Sequence, residues 1–208
     1  MAASTPRPPD DARQSRPGLR ERKKLKTRVA IREATYGLIA EQGYEATTIE
    51  QIAAAAEVSP STVFRYFPTK EDIVLTDEFD PVMEAAVRAR PADETPLESL
   101  RAVLRQAVEA ILADQPEEMS QRSRLMLEIP AVRARMTETM AETSLLLTRA
   151  VADRTGRAES DLEVRVFTAS VMAALREVTI YWAEHDQRDD LVALVDRALD
   201  TLKGGLAL

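Results

Sequence analysis

With 208 residues, 45% of them apolar, the chain can bury one small unit and one larger core, and no apolar run near about 18 residues is present to span a bilayer. The absence of cysteine excludes disulfides and thiolate metal sites and suits a reducing cytoplasm, the compartment expected here. A net charge of −7 argues against nucleic acid until its distribution is read: residues 1–70 carry 12 Lys and Arg against 8 Asp and Glu, and residues 71–208 carry 16 against 27.

Residues 1–18, with Pro6, Pro8, Pro9, Pro17 and Gly18 among small and charged residues, are expected to form a disordered arm. No apolar run follows the first basic residues, as a secretory signal requires. Between Arg13 and Arg32 nine basic residues face the single acid Glu21. Arg13, Arg16 and Arg20 either follow a phosphate backbone into a flanking minor groove or touch nothing.

From Leu25 to Gln42 the spacing predicts an amphipathic helix with Ile31, Ala34, Leu38 and Ile39 inward and Gly43 past its end. Thr48 followed by Gln51 reads as a capping box opening a helix from Ile49 to about Ala56. Ala53 permits close helix approach, Val58 plugs the turn, and Ser59 caps a helix with Pro60 at its first position. On that helix Val63 and Phe67 point inward. Ser61 and Arg65 point outward, flanked by Thr62 and Phe64. Phe67-Pro68 ends it, Thr69 caps the next helix, and Lys70 stands where a cation reaches a phosphate. Two short helices joined by a tight turn, the second with a short-chained basic face, form a helix-turn-helix able to enter the major groove.

The run Thr-Thr-x-x-x-Ile-Ala followed by Val-Ser-x-x-Thr-Val-Phe-x-Tyr-Phe-x-x-Lys-Glu, from Thr47 to Glu71, resembles the DNA-binding signature of the TetR family of bacterial transcriptional regulators. The resemblance covers about the first third of the chain, from Leu25 to Leu75. It implies DNA contacts from Thr48, Ser59, Ser61, Thr62, Phe64, Tyr66 and Lys70, to which the residue reading adds Pro60 and Arg65. Phe64 stands where a tyrosine is usual, so a phosphate bond from that hydroxyl is missing and the ring is available to a thymine methyl. By its place on the helical wheel Tyr66 lies nearer the buried side than Arg65. Phe64-Arg-Tyr-Phe, Asp77 to Pro81 and Arg88-Ala-Arg-Pro-Ala-Asp-Glu resemble the actinobacterial branch that includes the mycofactocin regulator, which implies a long acyl chain or acyl-CoA as effector.

Beyond Thr69 the chain reads as helix, with expected spans at 70–90, 97–114, 117–128, 131–154, 160–184 and 189–206, and Pro81 as a kink in the first. The expected fold is all-α with about nine helices: an arm (1–18), a three-helix DNA-binding domain (19–69) and a larger ligand-binding and dimerisation domain (70–208). Apolar stripes at Val164, Phe167, Val171, Leu175, Val178 and Trp182, and at Leu191, Leu194, Val195, Ala198, Leu199 and Leu202, either close the monomer core or build a four-helix dimer interface, the family's usual one.

Met119, Met126, Met136, Met140 and Met172, with Leu125, Leu146, Phe167 and Trp182, are either plain core or the walls of an apolar effector pocket. Arg176 and Glu177 either hold a polar head group or pair at the surface. No cofactor, metal or catalytic site is expected. The one histidine, His185, falls in a polar loop, and no Gly-x-Gly-x-x-Gly, Walker loop, Gly-x-Ser-x-Gly or His-Glu-x-x-His occurs. The function expected is a homodimeric repressor bound to a palindromic operator and released by a small hydrophobic effector. The alternatives are an activator of the same fold or a helical protein-interaction adaptor.

Overall fold

Leu19 to Gln42 forms α1, and the chain continues through α2 (Ile49–Ala55), α3 (Pro60–Tyr66), α4 (Lys70–Leu75), α5 (Asp80–Arg88), α6 (Pro96–Asp114), α7 (Pro116–Glu128), α8 (Pro130–Thr155), α9 (Leu162–Glu184) and α10 (Leu191–Lys203). The computed structural model describes residues 19–76 and 80–206, and among these there are ten helices and no strand. The expected arm at 1–18 and the Asp77–Phe79 part of the Asp77–Pro81 segment lie outside the described residues.

The fold class is the expected one, with one helix more. The single span expected at 70–90 is two helices: α4 stops at Leu75, Thr76 is extended at ψ 124°, and α5 starts at Asp80. Pro81 is therefore the second residue of a new helix and not a kink within a longer one. Proline lacks the N–H that would bond four residues back and its ring clashes with that carbonyl, whereas in a first turn neither matters. At the other end, α1 begins six residues before Leu25. Its first turns are solvent-exposed Leu, Arg and Lys, good helix formers that extend an already nucleated helix at little cost.

Three apolar clusters organise the helices. Ile31, Ile52, Ala53, Val63, Phe67 and Ile73 close a small head from α1 to α4. A larger body core includes Val87, Leu100, Leu147, Val151, Val171, Val195 and Leu199 from α5, α6, α8, α9 and α10. Between them a seam of Tyr36, Ile39, Tyr44, Val74 and Leu75 from the head packs on Leu125, Met126, Val132 and Met136 from α7 and α8.

Polar side chains cross the same seam. Arg32, counted above among the surface basic residues, is only 2% exposed, and its Nε lies 2.8 Å from Glu118 Oε2 on α7. Tyr36 donates its hydroxyl to the Val74 carbonyl at 2.8 Å, and Arg122 Nε reaches Tyr36 Oη at 3.4 Å. On α4, Asp72 Oδ2 accepts from Thr69 N at 3.0 Å and from Thr69 Oγ1 at 2.9 Å, completing a capping box, while Oδ1 accepts from Arg135 Nε on α8 at 2.6 Å.

Removing one partner of a buried ion pair leaves an uncompensated charge. Arg32→Ala is expected to lower unfolding stability by about 3 kcal/mol, read by urea denaturation. A loss below about 1 kcal/mol, the level of an exposed pair, would place Arg32 at the surface instead.

Candidate DNA-reading surface and effector cavity

The turn between α2 and α3 is set by backbone chemistry. Val58 N donates to Ala53 O at 2.9 Å and Glu57 N to Ala54 O at 3.2 Å, the paired bonds of a helix terminator whose central residue is left-handed. Glu57 occupies that position at φ +54°, where glycine is the residue without strain. Thr48 and Gln51 cap α2 reciprocally, at 3.3 Å from Gln51 N to Thr48 Oγ1 and 2.9 Å from Thr48 N to Gln51 Oε1. Gln42 of α1 donates to the same Gln51 oxygen at 2.9 Å, tying the supporting helix to the cap.

Ser59 Oγ caps α3 by accepting from Thr62 N at 3.2 Å, and it lies 2.9 Å from both Ser61 Oγ and Thr62 Oγ1. A cluster of three hydroxyls thus crowns the N-terminus of α3. Val63 and Phe67 are buried in the head, so Ser61, Phe64 and Arg65 face solvent, with Phe64 52% exposed. Thr48, Ser59 and Pro60 are also exposed, and Thr62 is half-buried. Tyr66 is half-buried against the head core, and Arg65 Cζ lies 5.3 Å from its ring centroid. The face that remains is small, hydroxylic and cationic, with one protruding aromatic ring.

Lys70 departs from this arrangement. Its Nζ donates to the carbonyls of Tyr44 at 2.7 Å and Thr47 at 2.9 Å and lies 3.9 Å from the Tyr44 ring centroid. The ammonium ties α4 to the loop before α2, so in this state it points into the head and not toward a phosphate. Tyr44 in turn donates to Glu71 Oε1 at 2.6 Å. Burial first, then that bond, raises the phenol well above its ordinary value. For Glu71 burial pushes upward but is outweighed by hydrogen bonds led by Tyr44, and its carboxyl lies below the usual range.

A cavity of about 180 Å³ opens in the body between α4, α5, α6, α7, α8, α9 and α10. Among the described residues, six of the seven methionines in the chain line it: Met83, Met119, Met126, Met136, Met140 and Met172. Leu104, Val108, Ile111, Leu175, Val178 and Val195 are among the other residues of its wall. The only charged side chain among the described lining residues is Arg122, which is 4% exposed. It is the arginine that also reaches Tyr36 in the seam, where burial, opposed by Arg122, raises the tyrosine hydroxyl above its ordinary value.

Five residues expected at a pocket, Met119, Met126, Met136, Met140 and Met172, are brought together here. Leu125, Leu146, Phe167, Trp182 and Arg176 are not among its described lining residues. Phe167 lies in a separate cleft with Leu97, Val151 and Val164. Trp182 is buried and donates its indole N–H to Asp189 O at 2.8 Å, holding the turn into α10. Arg176 is 40% exposed, with Nη2 3.9 Å from Glu177 Oε2. The places of Phe167 and Trp182 follow from how α9 meets α10 and α6: its apolar stripe wraps farther round the helix than the cavity does. Arg122 was missed because one arginine on a helix rich in Glu, Gln and Arg carries no sign of burial in its spacing.

The fold and the outward face of α3 define a helix-turn-helix protein with a hollow helical body. Residues 31–76 match the family described as "Bacterial regulatory proteins, tetR family", and residues 94–207, more than half of the chain, match the "MftR C-terminal domain". The chain belongs to the TetR family of transcriptional regulators. It is 43% identical over 109 residues to the HTH-type transcriptional regulator TcmR of Streptomyces glaucescens, which covers 50% of this chain and 48% of that one, so the chain spans about half the length of that relative. Among solved structures, FadR of Bacillus halodurans is 25% identical with a TM-score of 0.59, covering 92% of this chain and 98% of that one. FadR of Bacillus subtilis in complex with stearoyl-CoA is 25% identical with a TM-score of 0.58, covering 84% and 96%.

Ser59→Ala removes both the α3 cap and the hub of the hydroxyl cluster. The expected loss is about 1 kcal/mol of stability, with Ser59→Asn restoring most of it, measured by chemical denaturation of both variants. Wild-type stability in Ser59→Ala would show that the α3 N-terminus is held by other contacts.

Proposed function

We propose that this protein is a homodimeric, cytoplasmic repressor that lays α3 in the major groove of a palindromic operator and releases it when an apolar effector fills the body cavity. The observation that carries the reading is the division of α3. Val63 and Phe67 are locked in the core, while Ser61, Phe64 and Arg65 stand in solvent on a helix short enough to enter the groove at its N-terminal end. Arg65 is the side chain suited to a guanine edge, the hydroxyls around Ser59 to phosphate oxygens, and Phe64 to a thymine methyl. Thr48, Pro60, Thr62 and Tyr66 frame this contact, and Lys70 supports it by fixing the loop before α2. The reading unit is assigned to residues 19–69 and effector binding and pairing to residues 70–208.

The second copy is assigned to the outer face of α9 and α10. Leu162, Val166, Tyr181 and Leu206 are exposed large apolar residues. A cleft along the two helices is lined by Ala174, Tyr181, Leu194, Ala198, Leu202 and Leu206. Isologous packing of two such pairs forms a four-helix interface and presents two reading heads to two half-sites. For the effector, the thioether and hydrocarbon walls support an apolar body, and the stearoyl-CoA held by the Bacillus subtilis relative supports an acyl chain within that class.

Selection of bound fragments from genomic DNA is expected to recover a palindrome whose affinity falls steeply with added salt, since phosphate contacts release counterions. Arg65→Ala is expected to abolish the gel shift on that palindrome while sedimentation shows an unchanged dimer. Failure of the wild-type protein to shift any duplex at low ionic strength would overturn the reading. A normal shift by Arg65→Ala would take Arg65 out of it.

A further inference from the structure

The first turns of α1 stand apart from the head. Ile31 is the first residue of α1 to enter an apolar cluster, and every described side chain from Leu19 to Lys26 is exposed. Leu19 to Arg28 holds six basic residues and a single acid, Glu21. Among the described residues Arg20, Arg22, Lys23, Lys24 and Lys26 have no carboxylate partner. Such a helix works against itself. Arg20 with Lys24 and Arg22 with Lys26 stand four apart and repel, and the first of these cations meet the positive end of the helix dipole. Apolar packing does not offset that repulsion here, whereas a polyanion lying along the helix would.

Arg28 fixes where this row of charge begins. Its Cζ lies 4.9 Å from the ring centroid of Phe67, the residue that ends α3. Steps of four residues put Arg20 and Lys24 on the side of α1 that Arg28 occupies, and Arg22 and Lys26 on the opposite side. The row therefore starts beside the reading helix and runs back for about 12 Å, at about 1.5 Å per residue. Resting on the reading of α3 as the helix that enters the major groove, we propose that Arg20 and Lys24 form a second DNA contact, along the phosphate backbone that borders that groove.

The contact carries no sequence information. Phosphate oxygens accept from guanidinium and ammonium groups wherever the backbone passes, and such bonds hold a protein in register while another element reads the bases. Cations carried on a helix lose less freedom on binding than the same cations on a disordered segment. The charge of the rest of the chain selects the same end. Residues 71–208 carry 16 basic side chains against 27 acidic, so a duplex is repelled by the body and drawn to the head. Neutralisation by phosphate also removes the internal opposition of the helix, so the first turns of α1 are strengthened as the contact forms.

The test is fluorescence anisotropy of the full-length protein on two labelled duplexes about four helical turns long, one of unrelated sequence and one carrying the selected palindrome, between about 50 and 200 mM salt. Wild type is compared with Arg20→Gln/Lys24→Gln and with Arg22→Gln/Lys26→Gln, two variants of equal net charge on one exposed helix, each checked by far-ultraviolet circular dichroism. Losing two phosphate contacts is expected to make the slope of log affinity against log salt shallower by about 1.8 per bound protomer in Arg20→Gln/Lys24→Gln, and to weaken it about tenfold or more on both duplexes at the low-salt end. Arg22→Gln/Lys26→Gln is expected to keep most of the wild-type slope and affinity. Equal losses in the two variants, a loss confined to the palindrome, or wild-type binding by Arg20→Gln/Lys24→Gln overturns the proposal and leaves the reading by α3 standing. Failure of the wild type to bind either duplex overturns both together.

Discussion

A helix of six residues has no stability of its own, and in this protein such a helix connects the two halves of the molecule. α4 is held from the head by Tyr36, whose hydroxyl takes the Val74 carbonyl, and from the body by Arg135, whose Nε meets Asp72. Asp72 is simultaneously the capping residue that starts α4. The same carboxylate therefore maintains the helix and binds it to α8. Any rearrangement of α7 or α8 reaches α4 through side chains already bonded to it, and α4 shares Ile73 with the core against which α3 rests.

The seam is built from charges taken out of water, which sets it apart from the rest of the surface electrostatics. Arg101 and Arg105 pair with Asp196 and Asp200 between α6 and α10, but these side chains keep between 23% and 66% of their surface in solvent, and pairs open to water contribute little to stability. Arg32 and Arg122 are different because their guanidinium groups are nearly inaccessible. Hydrophobic burial would hold the two halves together in many relative positions. Buried donors with directional acceptors restrict those positions to a few, which is what a body needs in order to impose an orientation on a head.

The cavity complements this rigidity. Six of its described lining residues are unbranched thioethers, side chains able to change shape without a polar group losing its partner. Arg122 stands between the cavity on one side and the bonded seam on the other. In a helix-turn-helix regulator, movement of one reading head relative to another by a few ångströms is enough to lose register with two half-sites a helical turn apart.

The local grammar of residues 47–70 was readable from the sequence alone, because caps, first-turn proline and the inward pair Val63 and Phe67 act over three or four positions and need no distant partner. The helical character of the rest and the gathering of methionines were legible for the same reason, through period and composition. Contacts between helices far apart in the chain were decided only by the tertiary structure. It placed Arg32 inside and turned Lys70 onto two carbonyls. It moved Phe167, Arg176 and Trp182 away from the cavity and brought Arg122 into it. A charged side chain on an amphipathic helix looks the same in sequence whether it meets water or a partner more than 80 residues away. Its environment is set by how the helices cross, and that is a property of the packed molecule, not of any segment of it.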